Sequence, residues 1–184
     1  LCGISFASCD DSPDLPKPGT PDVDFTEIKS GTLFYCDFQD QNILTSLFTV
    51  ADLDGNTPTA AMQRLGFSNQ PGQVIPWVTN LRSTTTSTNI FCGSTSQYNP
   101  AGQANDWLIT RQIDIPTTGY MLEWKSVAVD PEKRDGMKVF ISTTGGDPTT
   151  DFPADPVFEI EEEVAGNTDG TVDDMFATHS VSLD

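Results

Sequence analysis

The chain has 184 residues and a mass of 20.0 kDa, which fits one domain, or one domain with a tail. Asp and Glu number 27 against 9 Lys and Arg, so the formal net charge is -18. This charge repels phosphate backbones and anionic lipid headgroups, which argues against nucleic acid as a partner and leaves divalent cations and neutral or cationic ligands.

The first eight residues carry no charge, are mostly apolar and end in small residues before Cys9. An apolar run of this kind is typical of the tail of a secretory signal. Residues 6–9, Phe-Ala-Ser-Cys, resemble a bacterial lipobox, in which the cysteine is lipidated and becomes the new N-terminus; Phe6 stands where Leu is usual. The resemblance implies a lipid anchor at Cys9. Asp10 and Asp11, which follow it, resemble the acidic surface-export signal of some Gram-negative lipoproteins, which implies a place on the outer membrane, at the cell surface. The alternative is an ordinary cysteine near a ragged N-terminus.

The next segment has the composition of a tether. Residues 9–24 contain four prolines and five aspartates with almost no large apolar side chains, so they cannot form a core. The pattern therefore predicts three parts: the tail of a signal peptide at 1–8, a lipidated disordered tether at 9–30, and a folded domain at 31–184.

From about residue 31 onward, short β-rich runs alternate with turn-forming clusters. One short helix is expected near Thr59–Leu65, where good helix formers follow one another. These features predict an all-β antiparallel sandwich or barrel. The chain stops on a strand-like segment, so the domain is expected to lack its last strand or strands and to expose a sheet edge. The predicted strands are Thr32–Phe38, Leu47–Ala51, Val74–Asn80, Asn89–Gly93, Trp107–Ile115, Tyr120–Val129, Met137–Thr143, Val157–Glu162 and Thr178–Leu183.

An acidic loop follows the second of these strands. Asp52, Asp54 and Asn56 place oxygen-bearing side chains at alternate positions, and Gly55 permits a tight turn. Hard cations take several oxygen ligands from loops of this kind, so the spacing indicates calcium. The loop is not an EF-hand, since it lacks the glycine and glutamate at the required positions. The alternative is a hairpin or loop with an Asp-Gly turn and no metal.

Three further motifs occur in a fixed order: Asn105-Asp-Trp-Leu-Ile109, Met137-Lys-Val-Phe-Ile-Ser-Thr-Thr-Gly145, and Phe152. Together with the acidic loop and the strand before it, they resemble the cleaved-adhesin, or choice-of-anchor J, family over roughly residues 32–184. The chain departs from the family by lacking an aromatic residue soon after the acidic loop. The resemblance implies a jelly-roll β-sandwich that acts as an adhesin-like module, sometimes with calcium, and it adds Asp37 to the candidate metal ligands.

The cysteines of the folded part are Cys36 and Cys92, each in an apolar, aromatic segment. An exported chain can form a disulfide between them, and two free buried thiols are the other interpretation. A structural zinc site is not expected, because the chain has no CxxC pair and no Cys/His cluster.

The remaining aromatic and titratable residues indicate binding rather than catalysis. Trp107 and Trp124 fall within predicted strands and are expected in the core, whereas Trp77 and Tyr98 are the candidate exposed residues for ligand binding. His179 is the single histidine, and no catalytic role is expected for it. Alternation along the strand places Glu159, Glu161 and Glu163 on one solvated face, which argues against paired catalytic carboxylates.

We therefore expect a non-enzymatic, surface-anchored module that binds a host or cell-surface protein or glycan, with calcium as a stabilising ion. The alternative is a structural or accessory domain of a larger surface protein with no ligand of its own.

Overall fold

The computed structural model describes residues 6–7, 31–40, 42–82, 90–166 and 176–184. The fold is all-β, as the sequence predicts: 35% of the chain is strand and 7% is helix. The elements in chain order are β1 (Phe6–Ala7), β2 (Tyr35–Cys36), α1 (Ile43–Leu47), β3 (Phe48–Asp52), α2 (Ala60–Arg64), β4 (Ser68–Gln70), β5 (Gln73–Ile75), β6 (Val78–Leu81), β7 (Phe91–Gly93), β8 (Asp106–Thr110), β9 (Met121–Ser126), β10 (Met137–Val139), β11 (Phe158–Ile160) and β12 (Ala177–Ser182).

The described strands form five small sheets in which every strand pairing is antiparallel. The largest sheet has the order β12-β9-β1-β2, and the others are the pairs β3-β8, β4-β5, β6-β7 and β10-β11. The jelly-roll arrangement of these sheets stays a prediction.

Most predicted strands are present in shortened form, and one is divided. The run predicted at 74–80 splits into β5 and β6 on either side of Pro76 and Trp77. Proline has no backbone N–H to donate, so the ladder is interrupted at this point. The helix predicted near 59–65 is α2, which ends before Gly66, a residue with φ +108. A glycine in this left-handed region is a common helix terminus.

Among the described residues, two clusters of buried side chains form the core. The larger one contains three closely packed aromatic rings, with Phe48 stacked on Phe38 at 5.6 Å and edge-on to Phe34 at 5.8 Å. Trp124, which is 2% exposed, belongs to the same cluster, so its predicted place in the core is confirmed. The smaller cluster contains Met62, Phe67, Leu81, Phe91 and Val127.

Cys36 and Cys92 are both buried in the larger cluster, and no disulfide joins them. Burial raises the pKa of the Cys36 thiol to about 12. The thiolate is the reactive form of cysteine, so Cys36 is inert at neutral pH. Of the two interpretations of these cysteines, the structure contains two buried thiols and not a Cys36–Cys92 disulfide.

Candidate metal centre

The acidic loop begins where β3 ends. The antiparallel register of β3 and β8 places Asp52 opposite Asp106 at one end of the strand pair. The ladder continues one step further, where the backbone N–H of Leu53 donates to the carbonyl oxygen of Asn105 at 3.0 Å. The loop that follows β3 therefore lies beside the residues that precede β8.

Carboxylates hold the loop in a tight turn. Asp52 Oδ1 accepts from the backbone N–H groups of Asp54 at 3.0 Å and Gly55 at 2.7 Å. Gly55 has φ +65, the left-handed region that favours glycine. Asp54 Oδ1 accepts from Asn56 N at 2.7 Å, and its Oδ2 accepts from Asn105 N at 2.5 Å. The predicted Asp-Gly turn is thus present, and it sets two carboxylates close together.

Asp106 supplies the third carboxylate from a half-buried position. Its Oδ2 accepts hydrogen bonds from Ser94 Oγ and Tyr98 Oη, each at 2.9 Å. Desolvation is the main cause that raises the pKa of the Asp106 carboxyl, which is about 6. The two hydrogen bonds lower this pKa, whereas repulsion from Asp54 and Asp52 raises it. Burial also raises the pKa of Tyr98, with the Asp106 charge as the next cause, so the phenol remains a donor.

The three carboxylates converge on one point. One oxygen from each of Asp52, Asp54 and Asp106 lies within 4.8 Å of the others. Carboxylates held at this distance repel one another, and a hard cation accepts oxygen ligands from such a group. A cavity of about 10 Å³ adjoins the group, and Asp52, Asn56, Tyr98 and Asp106 are among its lining residues. This volume is near the minimum for one water molecule.

Asn56, the fourth predicted ligand, lies at the edge of this centre. Its side-chain Nδ2 donates to the carbonyl oxygen of Gln103 at 2.9 Å. A Cβ atom at Gly102 would approach Asn56 Oδ1 to 2.6 Å, so the side chain fits only because residue 102 is glycine. Asn56 therefore ties the loop to the segment before β8 and lines the small cavity.

Asp37, the ligand that the family resemblance adds, does not belong to the convergent group of carboxylates. β2 ends at Cys36, and the chain turns at Phe38, whose φ of +59 lets its ring enter the core. Asp37 Oδ1 accepts from the backbone N–H of Gln39 at 3.0 Å. Its carboxylate thus closes a local turn instead of reaching the acidic loop.

The predicted exposure of Trp77 and Tyr98 is wrong, since they are 7% and 8% exposed, and their role in ligand binding stays a prediction. Trp77 directly precedes β6 and joins the larger core cluster. Tyr98 forms an isolated bridge with Pro58 and turns its hydroxyl to Asp106. Tyr98 has a role at the acidic centre, as the donor that holds the third carboxylate.

Asp106 is the member of the centre that sequence reasoning missed. A signal was present: an acidic residue stands at the start of an apolar strand, in the motif Asn105-Asp-Trp-Leu-Ile109. Antiparallel pairing of this strand with the one before the acidic loop brings the two acidic segments together. The pairing partner was not evident from spacing alone, because about 50 residues separate the two strands.

A second polar cluster lies in the interior, around Glu163. Glu163 is 1% exposed, so its predicted place on a solvated face is wrong, whereas Glu159 and Glu161 are exposed as predicted. Ser126 Oγ donates to Glu163 Oε2 at 2.5 Å, and His179 Nε2 lies 2.9 Å from the same oxygen. The serine hydroxyl is bonded to the glutamate and not to the imidazole, which is not the arrangement of a nucleophile with its base.

Comparison with protein-family models, with curated proteins and with solved structures finds no match. None of the helices in the described ranges has the length and apolar character needed to cross a membrane. Cys9 lies outside the described residues, so its lipidation remains a prediction.

Proposed function

We propose that the chain is an adhesin-like module of a surface lipoprotein, which binds a protein or glycan and is stabilised by calcium at Asp52, Asp54 and Asp106. The observation that carries the calcium part is the convergence of three carboxylates within 4.8 Å. The adhesin-like part is supported by the motif resemblance and by the all-β fold.

A bound cation relieves the repulsion between the three carboxylates. Two unit charges about 4 Å apart repel by about 4 kcal/mol at an effective dielectric constant of 20. The backbone N–H groups that hold Asp52 and Asp54 offset part of this cost, and a divalent cation removes the rest. Because an unfolded chain has no such centre, a bound ion stabilises the folded state by mass action.

We expect the melting temperature of the protein to rise in millimolar calcium and to fall again with chelator. At a calcium concentration about 100 times the dissociation constant, the gain is about 2.7 kcal/mol. For a chain of this length, such a gain raises the melting temperature by roughly 5–10 °C. Differential scanning fluorimetry at constant ionic strength, with magnesium as a second cation, measures the effect.

Asp52→Asn is the test variant, because the asparagine side chain keeps an oxygen to accept the two turn N–H groups. Asp155→Asn is the matched control, since Asp155 is exposed and lies outside the convergent group. Asp52→Asn should lose the calcium response and Asp155→Asn should keep it. An identical response in both variants means that the acidic loop is a turn without a metal site.

The lipid anchor is tested at the N-terminus. The backbone of β1 pairs Phe6 with Cys36 and Ala7 with both Tyr35 and Glu123. Cleavage before a lipidated Cys9 removes this strand, so the mature protein should begin at Cys9 and carry acyl chains. Mass spectrometry of the N-terminal peptide from the native membrane decides the point. Retained residues 6–8 on an unmodified Cys9 contradict the anchor and leave β1 in its sheet.

A further inference from the structure

A groove of about 1940 Å³ runs beside β8 and β10. Small-molecule sites usually have volumes of about 300–1,000 Å³, so this groove is large enough for a polymer chain. Part of its wall is apolar and continuous with the larger core cluster, formed by Phe34, Leu108, Trp124, Met137 and Val139. Trp77 and Trp124 at this wall have indole N–H groups with no acceptor among the described residues.

One strand presents an open edge to the groove. The pairs Leu53–Asn105 and Leu47–Arg111 are hydrogen-bonded through the backbone and flank the β3-β8 ladder. Since hydrogen-bonded and non-hydrogen-bonded pairs alternate in an antiparallel ladder, the backbone groups of Leu108 and Thr110 point away from β3.

Within the described ranges β3 is the sole strand partner of β8, and both Leu108 and Thr110 line the groove. A row of backbone N–H and C=O groups that no neighbouring strand pairs is a template for an added strand.

The groove is acidic. Two of its basic residues are already paired with carboxylates, Lys138 with Glu159 at 2.8 Å and Arg134 with Glu162. Seven acidic residues and three basic residues line the groove, so its formal charge is -4, or -2 when Asp54 and Asp106 hold a divalent cation. These are Asp54, Asp106, Asp114, Asp135, Glu159, Glu161 and Asp184 against Arg111, Arg134 and Lys138.

We propose that this groove binds an extended, cationic peptide segment of a partner protein, which adds as a strand to the open edge of β8. Apolar side chains of the peptide fill the groove, and basic side chains on the alternate positions meet its acidic residues. A second copy of this chain is disfavoured as the occupant, because two molecules of net charge -18 repel. The inference rests on the proposed binding function and names the partner's chemistry.

The probe is a fluorescent nine-residue peptide of alternating valine and lysine, measured by polarisation against the full chain. A version with glutamate for lysine, and a version with two central prolines, serve as peptide controls. Charge complementarity should make the lysine peptide bind at least about tenfold more tightly than the glutamate peptide. The proline version should bind weakly, because proline removes the N–H groups that a ladder needs.

Asp114→Lys/Glu161→Lys is the test variant, since both residues line the groove and are exposed, so that the substitutions leave the core untouched. Glu132→Lys/Asp155→Lys is the matched control, with the same change in net charge at exposed residues outside the groove. The first should weaken binding about tenfold and the second should weaken it little. Equal weakening by both variants means non-specific attraction and overturns the proposal.

Amide hydrogen exchange gives a readout that needs no variant. On addition of the lysine peptide, the N–H groups of Leu108 and Thr110 should gain protection, while those of Trp107 and Ile109, which face β3, change little. Full binding by the proline peptide, unchanged exchange at Leu108 and Thr110, or dimerisation in place of peptide binding each contradicts strand addition. If the peptide protects the Leu108 N–H but calcium does not change the melting temperature, only the calcium centre is contradicted. If calcium raises the melting temperature but the peptide gives no protection at Leu108, only the groove proposal is contradicted.

Discussion

Asp106→Asn is expected to stabilise the calcium-free protein at pH 7 and to weaken its response to calcium. The asparagine oxygen can accept from Ser94 and Tyr98 as the carboxylate does, and the neutral side chain no longer repels Asp52 and Asp54. The substitution removes one charge from a group of three, which relieves the repulsion that calcium otherwise relieves. The substitution therefore raises the stability of the calcium-free protein and lowers the gain in stability that calcium gives.

The sign of the pH dependence follows from the raised pKa of Asp106, about 6 in the folded chain against an ordinary value of 3.8. Between these values the folded state holds a proton that the unfolded state has released. The free energy of unfolding of the native protein, relative to Asp106→Asn, therefore falls as pH rises from about 4 to 6 and is constant above. The full shift corresponds to about 3 kcal/mol, and solvent screening at a half-buried carboxylate reduces it to about 1–2 kcal/mol.

Urea unfolding in chelator at pH 4.5 and pH 7 measures this difference, with Asp155→Asn as the exposed control. A loss of stability in Asp106→Asn at pH 7 would contradict the electrostatic account. That result would mean that the carboxylate is worth more as a hydrogen-bond acceptor than it costs as a charge.

His179→Phe is expected to destabilise the fold by about 3 kcal/mol, because it leaves a buried carboxylate without one of its donors. Glu163 accepts from Ser126 Oγ, from the Val164 backbone N–H at 2.7 Å and from His179 Nε2. The phenylalanine ring retains the packing of the imidazole against Trp124 and Phe158, which isolates the loss of the hydrogen bond.

Thermal unfolding should show a melting temperature lower by about 6–12 °C for His179→Phe. Thr178→Ala, at the exposed neighbouring position on β12, is the control. The double variant Glu163→Leu/His179→Phe should recover part of the loss, since removing both partners leaves no buried charge unpaired. If His179→Phe has the same melting temperature as the control, the imidazole contributes packing alone and the cluster has no electrostatic role.

The local features of this structure could be predicted from the sequence, whereas the features that depend on pairing between distant strands could not. The spacing of Asp52, Asp54 and Asn56 was enough to predict the loop, because those residues interact within one turn. Asp106 joins them through a strand pairing that no local pattern specifies. Alternation likewise located most strands, but it did not predict how the described strands divide into five sheets, which depends on which strand edges meet.

The prediction of side-chain burial failed at two residues that lie outside a regular strand, Glu163 and Trp77. Alternation placed Glu163 on the wet face with Glu159, but β11 ends at Ile160 and alternation has no meaning beyond it. There the backbone N–H of Glu163 donates to Asp135 O, and the side chain enters the interior. Trp77 failed for a similar reason, since a residue beside a proline break has no face assigned by periodicity.

The pairing of β3 with β8 also affects the rate at which the chain folds. Asp54 and Asn105, which close the end of this ladder, are 51 residues apart, and Ser126 and Glu163 are 37 apart. Loops of this size must close before either contact contributes, and folds dominated by such contacts form in milliseconds to seconds. The three carboxylates meet only after this step, so a cation bound there would slow unfolding and leave the folding rate nearly unchanged.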